Sequence, residues 1–441
     1  MRDLSQSVDV AVLGGGPAGT AAALTLLKRP GVSVAVVEGS AYDAPRAGES
    51  LTPGVRPLLE YLGVWDAFRQ QNALEAFGSH AAWGRPDLGS LDYLFTLHGT
   101  GWSLDRVAFD RMLADAVAAR GGAVLTRTRF AGAARDGDGW AVRLEGETAG
   151  TLRARYLIDA TGRPARLARR LGAVREVHDR LVGVGGIARL ADGVAVESAV
   201  VVEATELGWW YSAPVPGRGL AVVFMSDADL VSRHHLRMPE VWTRRLRETD
   251  HTRARAEGAA LPEPRVVSAH TGRLLQPGGD GWVAVGDAVA SHDPLSSTGI
   301  PHALGSGVHG ALVAADALFA EGAMLPAYAE GVRADVDQYL LTRDRYYQRE
   351  ARWPDAPFWA RRRARVALDP RATIVGASGA PGRPVHLTPA RAAALLDRCR
   401  EGRPVHEAVR AFAEAYPDVP HQRAILGLQE LVGRGAVDLA A

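Results

Sequence analysis

Apolar residues fall into short alternating runs and longer helical stripes. Asp9 to Leu13 reads as a buried strand and Pro17 to Lys28 as an amphipathic helix. Val32 to Val37 is a second apolar strand, closed by Glu38. Strand-like alternation marks Ala195 to Val202 and Leu220 to Met225, each bounded by glycine turns. Leu325 to Arg352 carries a long helical pattern. Trp353 to Val366, with two prolines and Arg361-Arg362-Arg363, reads as a connector. Further on, Thr388-Pro389 is an N-cap followed by a first-turn proline. Ala392, Leu395, Leu396 and Cys399 share one helical face. Val405, Ala408, Val409 and Phe412 form a second stripe, and Ile425, Leu428, Leu431 and Val432 a third. Val385 to Leu387 is expected as a short strand, and Gly433-Arg434-Gly435 as a turn into a wing at Ala436 to Leu439.

These patterns predict an α/β nucleotide-binding domain assembled from residues 1–75, 101–180 and 268–325. Residues 76–100 and 181–267 form an inserted antiparallel substrate-binding sheet, 326–370 a helical connector, and 371–441 a small winged-helix-like domain. A hydrophobic content of 47% and a charged content of 23% are those of a globular chain. The net charge of +1 gives no field that would draw the protein to nucleic acid or a membrane. No apolar run approaches ~18 residues, so the cytoplasm is the default location. Cys399 is the sole cysteine, which excludes an intrachain disulfide and a cysteine-rich metal site. No His/Asp/Glu spacing suggests a metal site, and none is expected. Of the 51 basic residues only Lys28 is a lysine. The patterns leave oligomeric state open.

The chemistry starts at Leu13-Gly14-Gly15-Gly16-Pro17-Ala18-Gly19, between the first strand and the first helix. Gly14 makes the tight turn, Gly16 admits a pyrophosphate to the backbone, and Gly19 lets helix and strand pack closely. The helix N-terminus favours the anion. Glu38 is placed to accept hydrogen bonds from ribose hydroxyls. The motif therefore predicts a bound dinucleotide.

A second signature, Asp280-Gly281-Trp282-Val283-Ala284-Val285-Gly286-Asp287-Ala288, is a turn, a buried strand and a Gly-Asp stop. Asp293-Pro294-Leu295-Ser296-Ser297-Thr298-Gly299-Ile300 follows. Together with Arg46-Ala47-Gly48-Glu49-Ser50, Asp105-Arg106 and Ile158-Asp159-Ala160-Thr161-Gly162-Arg163, it resembles the FAD-dependent monooxygenase superfamily of aromatic hydroxylases and flavin halogenases. The resemblance spans roughly residues 8–330. It implies a GR2-type, Rossmann-like FAD domain, with Asp287 on the ribityl chain and Pro294, Thr298, Gly299 and Ile300 beside the flavin. Arg46, Ser50, Arg106, Asp159 and Gly162 would complete the cofactor set. NAD(P)H or a partner reductase would supply electrons, and O2 the oxygen.

Flavin halogenases need a lysine near the substrate, and there is none beyond Lys28. The Pro-Leu-Glu-Ser-Thr-Gly stretch of the tryptophan halogenases is here Pro294-Leu295-Ser296-Ser297-Thr298-Gly299, with serine in place of the glutamate. The Trp-x-Trp-x-Ile-Pro stretch of flavin halogenases is Trp209-Trp210-Tyr211-Ser212-Ala213-Pro214. Arg46 to Pro53 and Trp209 to Pro216 also resemble flavoproteins that oxygenate tryptophan side chains in tryptophylquinone enzymes. Residues 371–441 resemble small peptide-recognition domains. The expectation is a monooxygenase that hydroxylates an aromatic, indole-type group on a peptide or protein held by residues 371–441. The rivals are a halogenase of a small aromatic and a non-catalytic flavoprotein that binds or chaperones a partner.

His292 and Asp293, in the loop after the Gly-Asp stop, are the candidate proton acceptors. His80, Trp83, Trp209 and Tyr211 are the candidate substrate contacts, with His98 a further histidine. Strand alternation puts Trp209 and Tyr211 on one face and Trp210 on the other.

Overall fold

The computed structural model describes residues 7–93, 99–191, 193–194, 196–363, 371–377, 386–399, 403–433 and 436–440. His98 and Ala195 lie outside the described residues, as do Val385 and the 434–435 turn.

Strand β1 (Val8–Leu13) lies at the centre of an eight-stranded sheet. It pairs in parallel with β2 (Val34–Val37) on one side and with the Gly150–Asp159 strand on the other. Ala123–Leu125 continues the parallel order beyond β2, and Trp282–Ala284 beyond Gly150–Asp159. Two antiparallel strands, Gly139–Gly146 and Thr128–Asp136, extend from Gly150–Asp159. This is the α/β, Rossmann-like fold that the glycine turn predicts. A helix rather than a hairpin follows β1, because parallel strands require a crossover.

Helix α1 (Pro17–Leu26) departs from the expected amphipathic stripe: every residue in it is buried. It packs with the sheet, with helix Arg106–Ala119 and with helix Gly299–Phe319. A helix enclosed on all sides is apolar all round, and its small residues let its neighbours approach.

A second, seven-stranded sheet draws on both predicted inserted segments. Its order is Arg265–Ser268, Leu181–Ala188, Gly219–Asp227, Gly208–Val215, Val200–Thr205, Gly78–Ala82, Gly89–Asp92. All its pairings are antiparallel except Val200–Thr205 with Gly78–Ala82. Trp210 faces Trp242 and Phe224 in the core behind this sheet, with ring centroids 5.2 and 4.9 Å away. The Trp242 indole N–H donates to the Val184 carbonyl at 2.8 Å. Glu203, also buried, accepts from the backbone N–H groups of Asp250, His251 and Thr252 and so caps the His251–Arg255 helix.

The chain divides into two compact units. One comprises residues 1–176 and 180–339, the other 177–179 and 340–441. The division therefore falls inside helix Met324–Gln348 rather than at the expected boundary near 371. The expected connector contributes a helix, Pro357–Arg363, whose Phe358 and Trp359 gather around Tyr347. The further described helices of the second unit are Pro389–Cys399, Val405–Ala415 and His421–Gly433. The three predicted stripes supply most of their shared core. The described His386–Leu387 segment is not a strand. Ile374–Ala377 instead pairs antiparallel with Val437–Leu439. No described helix is long and apolar enough to cross a membrane.

Candidate functional site

A cavity of about 700 Å³ opens where β1 ends and α1 begins. Its size is that of a cofactor or ligand pocket. At one end lie Gly14, Gly16, Pro17 and Ala18 from the turn, with Glu38 from the end of β2. Arg46 to Ser50 and Arg106 form one wall. Thr161, Gly162, Arg163, Asp287, His292, Asp293, Pro294, Gly299 and Ile300 line the cavity as well. From the second sheet, Tyr211, Val223 and Met225 face in.

The turn is built for close approach. Gly14 has φ +113°, and a Cβ there would lie 2.2 Å from the Ala160 carbonyl oxygen. At Gly16 a Cβ would meet nothing within 4 Å, so this stretch of backbone is open to the cavity. Both backbone groups of Gly15 are held by side chains. Its N–H donates to Glu38 Oε2 at 2.8 Å, and its carbonyl accepts from the Tyr42 hydroxyl at 2.8 Å.

The other oxygen of Glu38 is crowded. Oε1 accepts from the Ser40 N–H, the Ser40 hydroxyl and Arg46. Burial pushes the Glu38 carboxyl up, but the Arg46 charge and the Ser40 and Gly15 hydrogen bonds outweigh it and hold the group below its ordinary value. Asp110, fully buried and not a wall residue, binds Arg46 at 2.9 Å and Arg106 at 3.0 Å. Burial lowers the Arg46 pKa, and Glu38 and Asp110 more than restore it.

Glu49 belongs to the 46–50 stretch but carries no role among the expected site residues. It lines the cavity, and burial raises its carboxyl above the ordinary range. The Tyr211 phenol faces it closely enough for each to act on the other's ionisation, and burial with the Glu49 charge lifts Tyr211 well above its usual value. Both side chains lie inside the one cavity although 162 positions of chain separate them.

Other expected site residues lie off the wall. Asp159 is buried beneath it: Oδ1 accepts from Thr161, and Oδ2 from the Ala168 N–H at 2.8 Å. Its carboxylate holds the Ala160–Gly162 loop against the next helix, and burial raises its pKa despite these bonds. Gly19 faces the Gly14 carbonyl, and Thr298 is the N-cap of helix Gly299–Phe319. His80 is engaged by Ser90 and Glu197 on the second sheet. Trp83 meets Trp209 edge-on at 6.4 Å, and Trp209 is fully buried. Asp293 Oδ1 caps the following turn by accepting from the Leu295 N–H. The His292 ring stacks on Tyr339 at 4.1 Å.

Residues 7–311 match the family described as FAD binding domain. The chain belongs to that family. This FAD-binding protein is 34% identical over 372 residues to LodB of Marinomonas mediterranea, which is described only as an FAD-dependent oxidoreductase; the match covers 82% of this chain and 99% of LodB. It is 28% identical to a tryptophan 2-halogenase of Chondromyces crocatus, over 71% of this chain and 61% of that one. Among solved structures, the flavin-dependent halogenase CmlS superposes with a TM-score of 0.72 at 24% identity, over 94% of this chain and 78% of CmlS. That likeness is one of fold.

The cavity's residues fit FAD. Open backbone at Gly16 and the α1 N-terminus suit a pyrophosphate, and Glu38 ends the second strand as a ribose acceptor should. Asp287, also a lining residue, is paired with Arg163 at 3.0 Å, and its carboxylate could accept further hydrogen bonds from the ribityl chain. The Asp287→Ala variant is expected to hold FAD about 5- to 150-fold more weakly, the equivalent of ~1–3 kcal/mol. Fluorescence titration of the apoprotein measures this. Unchanged affinity would remove Asp287 from the set.

Proposed function

We propose that this chain is an FAD-dependent monooxygenase that places oxygen on an electron-rich aromatic ring, with indole as the ring class and a peptide or protein as its carrier. Bound FAD would supply the redox chemistry, with electrons from NAD(P)H, directly or through a separate reductase, and with O2 as oxidant. The protein's own tasks are to hold the ring, exclude water and manage protons. Tyr211, Val223 and Met225 offer the ring a largely apolar face. Glu49, with Tyr211 beside it, is a wall carboxyl whose pKa burial raises, and it is the proposed proton carrier. The C-terminal unit, with a core of its own, is the proposed grip for the carrier.

The observation that carries this reading is the absence of lysine from the cavity. Its cationic wall residues are all arginines: Arg46, Arg106, Arg129, Arg163 and Arg166. Lys28 lies just beyond the end of α1, with its ammonium over the Tyr61 ring, and is not a wall residue. An arginine stays protonated and offers no nucleophilic amine. The long match to LodB, named as an FAD-dependent oxidoreductase, is compatible with both readings.

Halogenation of a small aromatic is the second reading. The names of the tryptophan 2-halogenase and CmlS favour it, and by names alone it is the better supported of the two. One experiment separates them. The flavin-loaded protein, a flavin reductase and NADH are given tryptophan and tryptophan-containing peptides, with and without chloride and bromide. The expected product carries added oxygen, in a yield indifferent to halide. A chlorinated or brominated product by mass spectrometry overturns the proposal and establishes the second reading.

A further inference from the structure

We propose that His292, His302 and Asp335 form a binding site for one divalent d-block cation of the zinc type, beside the cavity that His292 helps to line. The three ligands come from three elements. His292 follows the Ala290–Ser291 strand, His302 lies in the first turn of helix Gly299–Phe319, and Asp335 is on helix Met324–Gln348. Their ligand atoms all lie within 4.8 Å of one another. Ten positions separate the two histidines and 33 separate His302 from Asp335. No short motif spans such gaps, and the sequence-based expectation of no metal site missed the cluster for that reason.

Distances distinguish a metal site from a proton relay. His292 Nε2 is 3.6 Å, and His302 Nδ1 3.5 Å, from the same oxygen, Asp335 Oδ2. Both are too long for hydrogen bonds. A charged imidazole–carboxylate pair would close to about 2.8 Å. A tetrahedral ion with bonds of about 2.0–2.1 Å sets its ligand atoms about 3.3 Å apart. Two edges of such a shell are therefore within a few tenths of an ångström of their final length.

The donor chemistry selects the ion. Two imidazole nitrogens and one carboxylate suit Zn²⁺, Co²⁺, Ni²⁺ or Cu²⁺. Mg²⁺ and Ca²⁺ require shells of oxygen. The His292 ring is oriented in advance by the Tyr339 ring stacked against it, and the Tyr339 hydroxyl accepts from the Asp293 N–H at 2.9 Å. Arg163, which donates to the His292 carbonyl at 3.0 Å, anchors the same loop. The Asp335 side chain is 55% exposed, so an ion can enter from solvent. Three protein ligands leave one position for water, as in open sites. A bound ion would tie the His292–Asp293 segment, part of the cavity wall, to two helices.

The test uses the full-length, flavin-loaded protein with Co²⁺ alone and Zn²⁺ alone. One equivalent of Co²⁺ is expected to give the intense visible bands of a tetrahedral ion, and Zn²⁺ to displace it. Asp335→Ala and His302→Ala are each expected to weaken Zn²⁺ binding by more than the 10–100-fold typical of losing an outer-shell partner, with flavin content unchanged. His309→Ala, at an exposed histidine on the same helix, is expected to bind as the parent does. Because Asp335 is largely exposed, its variant keeps the test decisive if His302→Ala fails to fold. Zn²⁺ affinity equal to the parent's in Asp335→Ala overturns the proposal. So does absence of stoichiometric binding by the parent, or equal loss in His309→Ala.

Discussion

Gly14→Ala is expected to yield protein without flavin and with at least about 4 kcal/mol less stability. Two penalties combine at this position. A backbone at φ +113° costs a residue with a side chain about 1–3 kcal/mol. The new methyl would also lie 2.2 Å from the Ala160 carbonyl oxygen and 2.7 Å from its carbon. Those atoms belong to backbone at the end of a central strand and cannot rotate away. Either the β1–α1 turn or the neighbouring strand must move, and both form the cofactor's floor. Gly16→Ala is the control, because its methyl meets no protein atom within 4 Å. That variant should keep its urea midpoint and lose FAD affinity alone. Yellow Gly14→Ala protein with the parent's midpoint would refute the steric account.

The second large effect concerns Glu49. The Glu49→Gln substitution keeps the side chain's shape and its hydrogen-bonding ability but removes the transferable proton. Turnover is expected to fall about 10²- to 10⁴-fold with FAD content unchanged. The pH profile gives a separate readout. Burial sets the Glu49 pKa above the ordinary carboxyl value, so the protonated form persists into a range where free glutamate is ionised. If that form is the active one, the parent's rate falls as pH rises through the raised pKa, and the glutamine variant lacks this limb. The stability linkage has the same sign. Because the folded pKa is the higher one, the stability contributed by protonated Glu49 is complete below the unfolded value and is lost as pH rises through the folded value. Parent-like turnover in Glu49→Gln would exclude a proton-transfer role.

The sequence made the floor of the site readable because its parts are contiguous. Strand, glycine turn, helix, strand and Glu38 follow one another within about thirty residues, and each has a local physical signature. Alternation along Gly208–Val215 also predicted correctly that Trp210 would face away from Tyr211. What stayed hidden depends on distant partners. Glu49 stands between two expected cofactor residues, yet it becomes notable only when burial and Tyr211 act on it. Asp159 lies in a stretch that resembles the family, but its oxygens are taken up by Thr161 and the Ala168 N–H that follow it in the chain. The all-round burial of α1 reflects a helix nearly 300 residues downstream, which periodicity within ten residues cannot reveal.

Asp110 sits behind the wall and clasps both Arg46 and Arg106. A lesion there is expected to present as a coenzyme defect although the residue does not itself line the chamber. Any survey of variants confined to the lining would overlook the keystone on which two of its arginines lean.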